Sequence, residues 1–223
     1  FQENQFNDYT LSECLAEFLY GYTEVLENAI IEEVTTTKEE VKQPDFATKS
    51  IQGQTDWTFK VLKSNGILQV DLQAPLIIDS IIYQHTALRF ERKNNIALVY
   101  FKNNPIMNST HKLSIYYHGT PKEAVKPPWD GGWIWKKDVN GKPWASVACQ
   151  NLGSSVWYPC KDHQSDEPEE GASLTMIVPK ELDAVGNGRH LNTLALANGL
   201  VEPSSILLIL YHSPKRAFRF KSE

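Results

Sequence analysis

The 223-residue sequence is poor in the residues that usually announce chemistry. Its three cysteines, Cys14, Cys149 and Cys160, are too few and too odd a number for a disulfide framework. A Cys149–Cys160 bridge is conceivable, but reduced core thiols are the preferred reading. The six histidines are His85, His111, His118, His163, His190 and His212. None lies four residues from another, so the His-Glu-x-x-His zinc motif is absent. So are the P-loop and the Gly-x-Ser-x-Gly nucleophile elbow. No apolar run is long enough to span a bilayer, and Ile206 to Tyr211, the longest, has the length of a strand. No basic run interleaved with aromatics occurs, and the net charge is -5. That excludes a non-specific nucleic-acid binder, whose phosphate-binding face must be basic. Phe1 to Tyr9 is polar and lacks the apolar core of a signal peptide. Phe1 is not a start methionine, which implies a processed or trimmed N-terminus and leaves the compartment open.

What is present divides into three regions. From Leu11 to Ile31 the apolar residues Leu11, Leu15, Phe18, Leu19, Tyr22, Leu26 and Ile30 recur at helical spacing. Thr10 or Ser12 suits the cap, and Glu13 and Glu17 suit the first turn. Glu32 to Pro44 is charged and reads as a linker. From Phe46 the period changes to two. Strands are expected at Trp57–Leu62, Ile67–Leu72, Leu76–Tyr83, Leu88–Arg92, Ile96–Phe101 and Lys112–His118, with turns at Ser64-Asn65-Gly66 and Lys93-Asn94-Asn95. Short strands at regular spacing, without βαβ alternation, predict an antiparallel sandwich-like architecture.

Beyond Gly119 tryptophan, proline and glycine are enriched. Pro127-Pro128-Trp129-Asp130-Gly131-Gly132-Trp133 is incompatible with regular helix. Asn140-Gly141 suits a type I′ turn joining Trp133–Trp135 to Trp144–Val147. Ser173–Val178 reads as a strand closed by Pro179, and Ser205–Tyr211 as a possible one.

Three clusters carry potential chemistry. Cys160-Lys161-Asp162-His163 begins like a metal site, with Cys149 the only soft ligand nearby. A closed site needs more ligands, so a polar surface loop is the plainer reading. Asp162, Asp166, Glu167, Glu169 and Glu170 form an acidic run whose ordinary role is solvation, not paired-carboxylate hydrolysis. Trp129, Trp133, Trp135, Trp144, Trp157 and Tyr158 would make either a sugar-stacking platform or buried packing. The first option, a non-catalytic β-sandwich binding module for carbohydrate, requires Trp133, Trp135 or Trp144 exposed in one row. Asn108-Ser109-Thr110 matches a glycosylation sequon, a triplet common by chance.

Four segments together resemble a known family: Pro127 to Trp133, Val147-Ala148-Cys149-Gln150, Trp157 to Pro168, and Val178-Pro179-Lys180-Glu181-Leu182. They are similar to the N-terminal domain of the aminopeptidase N family of zinc metallopeptidases, which includes the leukotriene hydrolases. The bacterial branch carries both Trp-Asp-Gly-Gly and the long Lys-Asp-His-Gln-Ser-Asp-Glu-Pro loop. The resemblance covers about Phe46 to Arg189. It implies a mainly β, antiparallel, saddle-shaped, sandwich-like domain, here behind an N-terminal helical segment. The expected organisation is an atypical segment 1–45, the β domain 46–189 and a divergent segment 190–223.

The resemblance also implies a function. The parent enzyme would hydrolyse N-terminal residues from peptides, using zinc held by a thermolysin-like catalytic domain absent from this chain. The β domain would lend the substrate pocket one residue that binds the α-amine, and by position this falls on Gln150. A carboxamide oxygen accepts a hydrogen bond from an ammonium, and anchoring that amine fixes register. No catalytic residue, metal ligand or cofactor is expected within this chain, and the chain alone is expected to be inactive. Its partners would be a peptide N-terminus and the catalytic domain, with no nucleic acid and no membrane span. The compartment is bacterial cytoplasm, periplasm or exterior. The family places a strand just before the position of Ile51 and further strands after Arg189. Here a helix-like segment and linker precede, and a divergent tail follows, as truncation or frame change would leave them.

Overall fold

The computed structural model describes residues 32–63, 66–127, 129–163, 168, 171–179, 181–186, 189–190, 193–195, 200–203 and 206–208. The helix expected over Leu11–Ile31 lies outside them. The described chain is mainly β, and its only helical turn is a single 3-10 turn at Ser154–Val156. The strands, in order, are β1 (Glu32–Asp45), β2 (Ser50–Lys63), β3 (Ile67–Asp71), β4 (Ile77–Tyr83), β5 (Thr86–Ala87), β6 (Arg89–Lys93), β7 (Ile96–Tyr100) and β8 (Thr110–Gly119). They continue with β9 (Gly132–Lys137), β10 (Pro143–Ala148), β11 (Ala172–Met176), β12 (Val178–Pro179), β13 (Arg189–His190), β14 (Thr193–Ala195), β15 (Leu200–Pro203) and β16 (Ile206–Leu208).

One large sheet runs β13-β16-β11-β1-β2-β8-β4-β5, and a smaller one runs β3-β7-β6. Two more are the β9–β10 hairpin and the trio β12-β15-β14. Pairing is antiparallel throughout except between β1 and β11.

The period-two reading explains the core. On β2, Trp57, Phe59 and Val61 are fully buried, and on β8 so are Leu113 and Ile115. Their alternate neighbours Lys60, Lys112 and Tyr116 face solvent. The buried row meets Leu68 and Val70 of β3 and Ala97 and Val99 of β7 in one cluster, so the two sheets form a sandwich. Burying each large side chain contributes about 1.5–3 kcal/mol.

Three expectations need correction. Glu32–Pro44 is no linker: it is β1, bonded to β2 along its length and to β11 on its other edge. Backbone pairing on both edges sustains this strand without apolar alternation, and Val34, Thr35, Thr36, Thr37 and Val41 give it β-branched content. The expected strand before Ile51 is therefore present. Beyond Arg189 the chain also continues in strands, β14 to β16, so strand pairing extends past both expected boundaries. Third, Trp133–Trp135 and Trp144–Val147 do pair, but not through a two-residue type I′ turn. The connection runs from Asp138 to Lys142 with Gly141 at φ 81°. The Asp138 carboxylate accepts from the amides of Asn140 and Lys142, both at 2.8 Å. An aspartate that bonds forward into its own turn makes the longer loop self-supporting.

Candidate functional site

The site is a turn that follows β10. Gln150 sits at its tip and is exposed. The Cys149 carbonyl accepts from the amides of Leu152 at 3.1 Å and Gly153 at 3.0 Å, and Asn151 takes the left-handed conformation at φ 61°. The Gln150 Nε2 donates to Asn151 Oδ1 at 3.4 Å. That arrangement leaves the carboxamide oxygen available as an acceptor.

Three sets of contacts fix this turn. The first comes from the Trp-Asp-Gly-Gly segment. A Cβ on Gly131 would lie 2.5 Å from the Gln150 carbonyl oxygen and 2.7 Å from Leu152 Cγ, so only glycine lets the two segments touch. Asp130 holds that loop, accepting from the amides of Val125 at 2.6 Å and Lys126 at 2.7 Å. The second comes from Gln73, just past β3. Its amide donates to the Ser155 carbonyl at 2.9 Å, and its Nε2 donates to the Leu152 carbonyl at 3.3 Å.

The third runs through the Pro-Cys-Lys-Asp segment. Cys160 is buried and exchanges both backbone hydrogen bonds with Asp71, at 2.8 and 3.0 Å. Asp162 then accepts from the amides of Ser154 and Ser155, both at 3.2 Å. Its own amide donates to Asp71 Oδ2 at 2.9 Å. Asp71 also accepts from Gln69 Nε2 at 2.7 Å. Burial pushes the Asp71 carboxyl above its ordinary pKa, partly opposed by the Asp162 amide and Gln69.

The sequence candidates therefore separate. Gln150 lies on a turn end, past the β10 ladder. Cys149 is exposed and Cys160 buried, and neither is in a disulfide. The reduced-thiol reading holds for both, the core placement for Cys160 alone. Among the described residues no three His, Cys, Asp or Glu side chains gather closely enough to hold a metal ion. A zinc ion does not fit Cys149, Cys160 and His163 as they stand. Of the acidic run, Asp162 is occupied with backbone amides, and the other four residues lie outside the described ones. Asp71 was missed altogether: it ends a strand of ordinary pattern, and only the three-dimensional pairing with Cys160 reveals its burial.

The tryptophans form no single row. Trp133 is buried and stacks on Trp135 with ring centroids 5.0 Å apart, and Phe46 meets the edge of Trp135. Trp144 is half exposed and pairs with Lys136, one position out of step with Trp133 and Trp135, so it projects from the opposite face of the hairpin. Trp157 and Tyr158 pack against the core. No helix among the described residues is long and apolar enough to cross a membrane.

The chain is mainly β with antiparallel sheets, and solved structures share that fold. No family model and no curated protein sequence matches the chain. Solved structures do. The M1 zinc metallopeptidase from Deinococcus radiodurans superposes with a TM-score of 0.64 at 17% identity, over 80% of this chain and 40% of that one. A two domain M1 zinc metallopeptidase mutant bound to L-arginine gives 0.62 at 18% identity, with the same coverage. Yeast LTA4 hydrolase gives 0.55 at 18% identity, over 77% of this chain and 26% of that one. The chain thus has the fold of part of the M1 zinc metallopeptidases, consistent with their N-terminal domain, as the resemblance implied. It spans about 40% of the length of the bacterial enzyme and less of the yeast one.

Proposed function

We propose that this chain is the substrate-facing N-terminal domain of a zinc-dependent aminopeptidase, and that Gln150 accepts a hydrogen bond from the α-ammonium of the peptide. The observation that carries the reading is the placement of Gln150. It is exposed at the tip of a turn that glycine contacts, Gln73 and Asp162 all hold in place. An acceptor that binds an ammonium needs little reorganisation when its backbone is already fixed, so the hydrogen bond goes into orienting the substrate. A neutral amide suits this role: it selects a donor without demanding a buried counter-charge. One of the structural neighbours was solved bound to a Tyr-Ser-Ala substrate, a peptide of the class proposed here. Zinc and its ligands would belong to a catalytic domain that this chain docks against.

The test starts from the gene. The reading frame that encodes this chain is expected to continue into His-Glu-x-x-His and a later glutamate; a frame with neither would remove the peptidase reading. In the resulting enzyme, Gln150→Ala is expected to raise KM for an amino-acid anilide by about ten-fold, the loss of one hydrogen bond to a charged group. Unchanged KM and turnover would refute the amine role. Because Gln150 is exposed, the same substitution should change folding stability by no more than about 0.5 kcal/mol.

A further inference from the structure

The strongest unassigned feature is the carboxylate of Asp162. It is only partly exposed, unlike the solvated run the sequence suggests, and its hydrogen bonds among the described residues are to backbone amides. Each of its oxygens accepts one backbone N–H, from Ser154 and Ser155, at the start of the 3-10 turn. Gly153 lies directly against it, so close that any Cβ there would overlap the carboxylate. Gly153 is also the residue whose amide closes the Cys149 turn that presents Gln150. The same Asp162 residue is anchored from behind, by its amide on Asp71 and by the Cys160–Asp71 backbone pair.

We propose that Asp162 is the positioning residue for Gln150: its carboxylate clamps the Gly153–Ser155 backbone and so sets where the preceding turn holds the carboxamide. The consequence for substrate rests on the amine-binding reading of Gln150; the clamp itself does not. The physical case is one of connectivity. A charged acceptor on two adjacent amides is stronger than two neutral hydrogen bonds. It joins the turn to the end of β3, which belongs to the sandwich core. Without it, the turn retains the Gln73 contacts, the glycine contact and the Gly153 amide bond to Cys149, but the Ser154 and Ser155 amides lose their acceptor.

The experiment uses the whole chain, isotope-labelled, as wild type, Asp162→Ala and Asp162→Asn. Three quantities are read by NMR: amide exchange at Ser154 and Ser155, amide exchange at Trp57 and Ile115 in the core, and the side-chain amide signal of Gln150. In Asp162→Ala, exchange at Ser154 and Ser155 is expected to accelerate about ten-fold or more, with Trp57 and Ile115 unchanged and the Gln150 signal displaced. Asp162→Asn is expected to fall between, because its one side-chain oxygen can accept one of the two amides. It also serves if the alanine variant does not fold. In the full-length enzyme that carries the catalytic domain, KM for an amino-acid anilide is expected to rise about ten-fold in Asp162→Ala. Unchanged exchange at Ser154 and Ser155, or equal acceleration in the core, overturns the clamp. An undisplaced Gln150 signal, or wild-type KM in both variants while Gln150→Ala raises it, overturns the positioning role. If Gln150→Ala itself leaves KM unchanged, the amine reading falls instead, and the exchange data with the Gln150 signal still decide the role of Asp162.

Discussion

Replacing Gly153 by alanine tests the packing of the Gln150 turn most directly. Gly153 sits at φ 72° and ψ -175°, a conformation that residues with a Cβ essentially never adopt. That alone costs about 1–3 kcal/mol. The new methyl group would also overlap the Asp162 carboxylate. Moving that carboxylate sacrifices its bonds to Ser154 and Ser155, which at 3.2 Å are long for charge-assisted bonds and worth about 1 kcal/mol each. The total expected cost is therefore about 3–5 kcal/mol, or a fall in Tm of roughly 6–20 °C for a chain of this size. Gly141 supplies the internal control. It too has positive φ, 81°, but a Cβ there meets nothing within 4 Å. Gly141→Ala should cost only about 1–2 kcal/mol. Thermal and urea unfolding of both variants give the comparison. A double-mutant cycle with Asp162→Ala isolates the overlap, because Gly153→Ala should be milder once the carboxylate is gone. If Gly153→Ala destabilises no more than Gly141→Ala, or if the two substitutions add, the close approach of Gly153 and Asp162 is not what shapes this loop.

Other consequences can be measured on the same protein. Burial raises the Asp71 pKa, so its native carboxyl holds a proton longer than the unfolded one. The associated stability is complete below the unfolded value and is lost as pH rises through the folded value. The advantage of Asp71→Asn over wild type should accordingly grow as pH rises from about 3 towards neutrality; a pH-independent difference would refute it. Ile115→Ala, at the fully buried centre of β8, should cost about 2–5 kcal/mol in urea unfolding. A cost within surface range would mean the sandwich core is misplaced. Metal analysis of the purified chain is expected to find no stoichiometric zinc, and one zinc per chain would revive the grouping of Cys149, Cys160 and His163.

What the sequence revealed depended on how strongly each segment alternates. β2 and β8 carry a clean apolar row because one face of each is core and the other is water. β1 carries charges on a backbone bonded along both edges, so neither periodicity nor hydropathy marks it, and its sequence reads as a linker. The β9–β10 pairing was legible from its tryptophans, but its turn was not. Asn140-Gly141 fits a tight turn locally, while Asp138, two residues earlier, closes a longer one through its side chain. Asp71 shows the general limit: burial of a strand-end carboxylate is decided by a segment almost ninety residues away, at Cys160 and Asp162.

The residues that carry the family likeness turn out to perform mostly framework tasks, and that bears on how the likeness should be used. Asp130 ties a loop, Gly131 admits the Gln150 turn, Cys160 pairs with Asp71, and Asp162 caps the 3-10 turn. Each is occupied in holding a loop or turn rather than in meeting solvent or a ligand. Gln150 differs: it is exposed and supports nothing beyond its neighbour Asn151. A set of specific, costly contacts that converges on one exposed carboxamide makes physical sense if the position of that carboxamide matters. What marks Gln150 is therefore less its own identity than the number of surrounding residues whose geometry would be unnecessary if the turn were free to move.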